Sequence, residues 1–193
     1  MNRRDILKWS AYTAGICSLP LPLAVLQSCQ PSAVLDWTPS ILSKEEALMV
    51  EHIANIILPG DTTIPPANEI HVPKFVDLLV ADCLSDREKE DFIAGLHAIA
   101  TDYKQSSGNS LAAKPDGDLT EFITKVDLDA FRSASNPADE AYRLLKQMIL
   151  MGYFTSEIIM SGHLNYHAIP GEYKGCIEYS EGDKAYVDNN VAG

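Results

Sequence analysis

The sequence predicts an all-α fold, a small irregular helical bundle that ends in an irregular, aromatic-rich C-terminal tail. Helix-start signals, in which a capping Ser, Asp or Asn is followed by acidic residues, recur along the chain. Apolar residues follow these signals at spacings of three and four, which places them on one face of a helix. No run alternates polar and apolar residues over five positions, so no half-buried strand is predicted.

The first helix is predicted to begin after Ser43, which forms a capping box with Glu46. It should run to about Leu58, because Pro59-Gly60 ends a helix. Its predicted inward residues are Ala47, Val50, Ile53, Ala54 and Ile57. Residues 61–72 follow as a loop without periodicity, and a loop of this length is often functional.

Pro73 suits the first turn of a second helix, and Ser85 with Glu88 forms the capping box of a third. The second helix has an apolar stripe of Phe75, Val76, Leu79 and Cys83, and the third has Phe92, Leu96, Ile99, Ala100 and Tyr103. The Ser-, Gly-, Asn- and Pro-rich residues 105–117 are predicted to be a connection.

Asp118 is predicted to cap a short fourth helix from Leu119 to about Val126, with a broken segment over residues 128–132. Asn136 caps the fifth helix, and Pro137 occupies its first position. This helix should form the centre of the core, with Tyr142, Leu145, Met148, Ile149 and Met151 leading to Gly152. Thr155 or Ser156 can cap another short helix towards Gly162.

The first 28 residues have the basic, apolar and cleavable layout of an export signal. Arg3 and Arg4, followed by an apolar pair and Lys8, resemble the twin-arginine signal. An uncleaved membrane span is the alternative, but a span needs about 20 unbroken apolar residues, and Pro20 and Pro22 interrupt this run.

The stretch Leu26-Gln27-Ser28-Cys29 resembles a lipobox, in which the chain is cut before a lipid-bearing cysteine. We therefore expect an exported lipoprotein that is anchored on the periplasmic side through Cys29. The alternative is an ordinary signal that contains a cysteine. The predicted organisation is a signal over 1–28, a tether over 29–42 and one helical domain over 43–193.

The formal net charge of −12 is unevenly distributed. Residues 1–28 hold Arg3, Arg4 and Lys8 against Asp5, a charge of +2, so the remainder carries −14. An acidic surface repels phosphate backbones and anionic headgroups. This charge argues against nucleic-acid binding and leaves the lipid as the predicted membrane contact.

Cys83 and Cys176 are the two cysteines that follow Cys29. In an oxidising compartment they can form a disulfide, and the alternative is two separately buried thiols.

Motifs for bound cofactors and catalysis are absent from the sequence. It contains no G-x-G-x-x-G, no phosphate-binding P-loop, no C-x-x-C and no G-x-S-x-G. His163 and His167 are four residues apart and would share a helix face as metal ligands, but Pro170 makes a regular helix there doubtful. We predict no catalytic, cofactor-binding or metal residue in this chain.

The tail after Gly152 is rich in aromatic residues, and these are candidates for contact with a partner. The predicted contact residues are Tyr153, Phe154, Tyr166 and Tyr173, with the loop over 61–72 as a second element. The alternative is that the same aromatic residues pack on the chain's own bundle.

Four stretches together resemble subunit 3 of gluconate 2-dehydrogenase. They are Ile56-Ile57-Leu58-Pro59-Gly60-Asp61, Pro73-Lys74-Phe75-Val76-Asp77, Gly152-Tyr153-Phe154-Thr155-Ser156-Glu157, and the tail pattern from Pro170 to Cys176. The resemblance extends over about residues 42–188, and the stretch from Gly152 to Glu157 is its most specific part.

The resemblance implies a small, non-catalytic helical subunit that accompanies a large FAD-containing sugar or alcohol dehydrogenase. In some such complexes a cytochrome c subunit, with its haem, receives the electrons. The lipobox at Cys29 departs from the family pattern and suggests that this chain has its own anchor. Two other interpretations remain: a free-standing lipoprotein that binds a small ligand or metal, and an independent periplasmic enzyme.

Overall fold

A computed structural model describes residues 35–113, 117–132, 136–169, 171–173, 175–178, 180–187 and 190–191, all of which belong to one compact unit. This part of the chain contains six helices: α1 (Lys44–Ile57), α2 (Val72–Cys83), α3 (Asp86–Ser107), α4 (Gly117–Ala130), α5 (Pro137–Phe154) and α6 (Glu157–His163). Two short strands, β1 (Glu172–Tyr173) and β2 (Asn190–Val191), pair antiparallel. The predicted all-α fold class is confirmed.

Reciprocal caps begin three of the helices. At α1 the backbone N–H of Glu46 donates to Ser43 Oγ (3.2 Å), and the Ser43 N–H donates to Glu46 Oε2 (2.6 Å). Capping boxes of the same kind precede α3, at Ser85, and α5, at Asn136. Each box satisfies backbone donors that a helix N-terminus otherwise leaves unpaired, so these starts follow from local sequence.

The fourth helix is longer than predicted, because it runs without a break to Ala130. Its last turns are stabilised by α5, where Arg143 Nη1 donates to the Ala130 carbonyl (2.5 Å) and Lys146 Nζ donates to Asp127 Oδ1 (2.6 Å). The predicted break over residues 128–132 is therefore wrong for residues 128–130, which are helical. Contacts with α5, which is a later helix in the sequence, extend α4 through these residues.

The core lies around α5, which packs against α1, α2, α3 and α4. Its predicted inward residues Tyr142, Leu145, Met148 and Ile149 are all buried. Met151 is exposed, which corrects the prediction, because it lies about 200° around the helix from Ile149. Cys83 is also exposed, at the last residue of α2.

Helices α3 and α5 approach closely at Gly95. A Cβ atom at this position would overlap the Ala141 Cβ and would lie 2.7 Å from the Pro137 carbonyl oxygen. Only a residue without a side chain allows the two backbones to come this near.

The residues before α1 are bound to the domain through Asp77 of α2. Its carboxylate is 1% exposed and accepts backbone N–H bonds from Ser40 (2.6 Å), Ile41 (3.2 Å) and Leu42 (3.0 Å). Hydrogen bonds to a charged acceptor are stronger than neutral ones. Trp37 also packs against the core, so the last part of the predicted tether is joined to the domain.

None of the helices in the described ranges is long and apolar enough to cross a membrane.

Candidate partner interface

The stretch Gly152 to Glu157 forms the corner between α5 and α6. Gly152 lies under the Phe75 ring of α2, and a Cβ atom on it would be 2.5 Å from Phe75 Cδ1. Tyr153 is only 4% exposed, and its hydroxyl donates to the Pro65 carbonyl at 2.8 Å. These two residues hold the end of α5 against α2 and against the loop that precedes α2.

Thr155 and Ser156 complete the turn. Thr155 Oγ1 donates to the Met151 carbonyl (2.7 Å), which satisfies an unpaired acceptor at the end of α5. Ser156 Oγ donates to the Tyr153 carbonyl (2.7 Å) and accepts from the Ile159 N–H (3.3 Å), which caps α6. The corner is therefore fixed by short-range hydrogen bonds on both sides.

The loop over residues 61–72 lies beside this corner. The Asp61 carboxylate accepts from the Thr63 N–H (2.7 Å), the Thr63 hydroxyl (2.8 Å) and the Ile64 N–H (2.8 Å), which closes a tight turn. These hydrogen bonds, together with the nearby His163, lower the pKa of Asp61. Burial, with a contribution from the Asp61 charge, raises the pKa of Tyr153. The structure thus brings together the two regions that were predicted to contact a partner.

Several large apolar side chains on the helices that meet at this corner are exposed, namely Leu78 of α2, Met151 and Phe154 of α5, and Ile158 of α6. An open cavity of about 290 Å³ lies between α2 and the corner. Its lining includes Lys74, Phe75 and Leu78 of α2 and Thr155 and Ser156 of the corner.

The C-terminal segment after α6 is mostly exposed. Lys184 Nζ donates to the Gly162 carbonyl (2.6 Å) and the Asn165 N–H donates to the Ala185 carbonyl (2.8 Å), so the segment returns to the end of α6. Its exposed large apolar residues are Tyr166, Ile169, Ile177, Tyr186 and Val187.

The four predicted contact residues therefore differ in position. Tyr153 is buried in its own bundle, so the prediction that it contacts a partner is corrected, because its ring and hydroxyl already have intramolecular partners. Phe154 and Tyr166 are exposed. The side chain of Tyr173 lies outside the described residues, so its contact with a partner remains a prediction.

Sequence reasoning missed Leu78, Met151 and Ile158 as surface residues. Leu78 lies between the buried positions Val76 and Val80 of α2, about 200° around the helix from each. An apolar residue at such a position is the signal that could have identified Leu78 as exposed.

The predicted disulfide is not formed in the structure, where Cys83 and Cys176 are both free and exposed. The alternative of two buried thiols is wrong for the same reason. Helix α6 ends at His163, so His163 and His167 do not share a helical face. In the described residues no group of three His, Cys, Asp or Glu side chains could hold a metal ion. Arg3, Arg4 and Cys29 lie outside the described residues.

A larger groove of about 830 Å³ lies between α3, α4 and the start of α5. Its apolar lining includes Tyr103 and Phe122, and its charged lining includes Asp102, Glu121, Lys125 and Arg132. In the part of the chain that the structure describes, every buried polar side-chain atom has a hydrogen-bond partner. The groove therefore offers no unpaired buried group that would point to chemistry.

Comparison with known proteins identifies a family for this chain. No curated protein and no solved structure matches the chain. Residues 44–171, which extend from the first residue of α1 to the start of the C-terminal pairing, match the family model described as gluconate 2-dehydrogenase subunit 3. The matched range includes all six helices, the corner between α5 and α6 and the loop beside it. The chain belongs to the gluconate 2-dehydrogenase subunit 3 family.

Proposed function

We propose that this chain is a non-catalytic accessory subunit of a membrane-associated, FAD-dependent sugar or alcohol dehydrogenase of the gluconate type. Its role is to aid the export, maturation and anchoring of the large flavin subunit, which performs the oxidation. Family membership over residues 44–171 is the observation that carries the proposal. In complexes that contain one, a cytochrome c subunit receives the electrons from the flavin.

The export role follows from the Arg3-Arg4 doublet together with the lack of nucleotide and haem motifs in the sequence. Twin-arginine export carries proteins that have already folded, commonly after a cofactor has been inserted. A chain without its own cofactor motif can use such a signal for a partner. One signal then serves two polypeptides, and FAD enters the partner before both cross the membrane.

The export role is tested by replacing both arginines, Arg3→Lys with Arg4→Lys, in cells that also produce the large subunit. We expect the large subunit to remain in the cytoplasm with its flavin bound, because the partner has lost its only signal. Cell fractionation and flavin absorbance measure this outcome. Arg87→Lys with Arg132→Lys is the matched control, since it makes the same two replacements at exposed positions outside the signal and leaves Arg3 and Arg4 in place. Normal export of the large subunit with the doublet variant would contradict the role.

The anchoring role is tested by mass spectrometry of the chain purified from membranes. We expect a chain that begins at Cys29 and carries the added mass of a lipid. A mature chain without lipid, or one that begins elsewhere, would contradict anchoring through Cys29 and would leave the export role intact.

A further inference from the structure

The residues that precede the N-cap of α1 are packed along the domain. We call residues 35–42 the strap. Its half-buried side chains are Leu35, Trp37 and Pro39, and the residues between these three are exposed. Leu35 and Trp37 pack against the hydrophobic core, and Leu42 at the end of the strap is 5% exposed. The strap therefore belongs to the folded domain, although the sequence placed it in the tether.

Hydrogen bonds join the strap to two helices. Both carboxylate oxygens of Asp77 on α2 accept from its end, where Oδ2 takes one backbone N–H bond and Oδ1 takes two. The Trp37 side chain donates a hydrogen bond to the Glu51 carboxyl group on α1. Asp77 is therefore the side chain that holds most of the strap's polar contacts.

Attachment of the strap shortens the chain that can separate the proposed lipid from the domain. With the strap attached, the six residues from Cys29 to Val34 form this link and can span at most about 20 Å. With the strap released, the fourteen residues from Cys29 to Leu42 would form the link, and their limit would be about 45–50 Å. Attachment thus reduces the greatest distance between lipid and domain by more than half.

We propose that the strap is a positioning device, which Asp77 keeps attached and which holds the domain close to the bilayer. This inference rests on the proposed function, because it requires the lipid on Cys29. A short link raises the effective concentration of a tethered domain at the membrane surface. A flavin subunit bound to the domain would share this restricted position.

The first experiment measures amide hydrogen exchange of the full lipidated chain in phosphatidylcholine vesicles. Asp77→Ala should speed exchange of the three amides at the end of the strap by about tenfold or more, because they lose their acceptor. Asp61→Ala is the matched control, since Asp61 also accepts backbone N–H bonds but only within the loop over residues 61–72. It should leave exchange of the strap unchanged.

The second experiment measures energy transfer from a dye on Cys83 to acceptor lipids in the same vesicles. Cys83 is free and exposed at the last residue of α2. Cys176→Ser in every variant leaves Cys83 as the reactive thiol, because Cys29 is acylated in the lipidated chain. Asp77→Ala should lower the transfer efficiency by about twofold, since the longer link lets the domain move away from the bilayer. Asp61→Ala should keep the wild-type efficiency.

A further variant loosens the strap without changing α2. Leu35→Ala with Trp37→Ala removes the packing of the strap and its hydrogen bond to Glu51, and it keeps Asp77. Exchange of the strap and energy transfer should both change in the same direction as in Asp77→Ala. The circular dichroism spectrum should retain its helical form, because the strap lies outside the six helices.

The outcomes separate the two proposals. A mature chain without lipid on Cys29 defeats the proposed anchoring and this inference with it. If the chain is lipidated and the strap exchanges equally in the wild type and Asp77→Ala, then Asp77 does not hold the strap and the inference is overturned. If exchange becomes faster in Asp77→Ala and energy transfer does not fall, the strap does not set the distance. The inference is then overturned, while the anchoring stands.

Discussion

The helical bundle and the segment after α6 place their apolar side chains differently. Leu145 of α5 is fully buried, whereas Ile169 is 85% exposed. In the bundle, apolar residues recur with the helical period and meet the apolar faces of neighbouring helices. In the C-terminal segment they follow no period, and the segment is closed mainly by backbone hydrogen bonds.

This difference separates two uses of apolar residues within one chain. Burial of the bundle residues stabilises the fold of the chain itself. The exposed residues of the C-terminal segment add little to that stability, and their burial requires another surface. Both kinds of side chain occur next to each other at the corner between α5 and α6, where Tyr153 is buried in the bundle and Phe154 is exposed.

The comparison can be tested first by truncating one apolar residue in each region. Leu145→Ala should lower the free energy of unfolding by about 3 kcal/mol, because it leaves a cavity in the core. Ile169→Ala should change it by less than about 0.5 kcal/mol, since the side chain is already in water. Urea denaturation monitored by circular dichroism measures both values. Similar losses of unfolding free energy from the two substitutions would contradict the difference between the bundle and the C-terminal segment.

A second test adds one methyl group where the helices of the bundle are closest. Gly95→Ala should cost about 2 kcal/mol, because the new Cβ meets Ala141 and the Pro137 carbonyl and forces α3 away from α5. Gly162→Ala in α6 is the control, since a Cβ there meets no atom within 4 Å. Thermal unfolding should show a lower Tm for the first variant alone. An unchanged Tm would mean that the two helices can separate without cost.

A third test asks whether Tyr153 belongs to the bundle. Tyr153→Phe keeps the ring and removes the hydrogen bond to the Pro65 carbonyl, so we expect a loss of about 1 kcal/mol. Amide hydrogen exchange should become faster in the loop over residues 61–72. Tyr166→Phe, in the C-terminal segment, is the control and should leave the exchange of this loop unchanged. Equal exchange in both variants would argue against a structural role for the Tyr153 hydroxyl.

The smallest expected effect concerns Glu51 on α1. Partial burial raises the pKa of this carboxyl, and the nearby Asp36 adds to the effect, whereas His52 and a hydrogen bond with Trp37 oppose it. The folded state therefore binds a proton more readily than the unfolded state does, so stability falls as pH rises from about 4.5 through the raised pKa.

Glu51→Gln should remove this decline. Near pH 7 we expect a gain of less than about 1 kcal/mol, because partial exposure to solvent screens the charge. Below pH 4 the wild type and the variant should be equally stable, since the carboxyl is then protonated in both states. Urea denaturation at several pH values measures the difference, and a gain that persists at low pH would contradict the electrostatic cause.

Local signals were sufficient to predict most of the fold. The starts of α1, α3 and α5 depend on side chains within three residues of Ser43, Ser85 and Asn136, so the sequence shows them directly. The end of α4 depends on Arg143 and Lys146 of another helix, and no local pattern contains that information. The predicted end of α4, at about Val126, is therefore earlier than the observed end at Ala130.

The candidate site was predicted as a region and not in its detail. The sequence indicated the aromatic residues after Gly152 and the loop over 61–72, and the structure places these two elements side by side. Which of the adjacent rings Tyr153 and Phe154 faces inward depends on Pro65, which is 88 residues from Tyr153 along the chain. Such long-range contacts decide orientation, and composition does not reveal them.

The buried Asp77 carboxylate has a mechanical consequence for a chain that is anchored as proposed. Leu35 and Trp37 already pack against the core, so only the six residues from Cys29 to Val34 separate the lipid from the domain, and they can span at most about 20 Å. Any pull on the lipid reaches the domain at Leu35 and Trp37 and then at Ser40, where Asp77 holds three consecutive backbone N–H groups. The load is therefore carried by these packed side chains and by α2, and it does not begin to unwind α1 at its capped end.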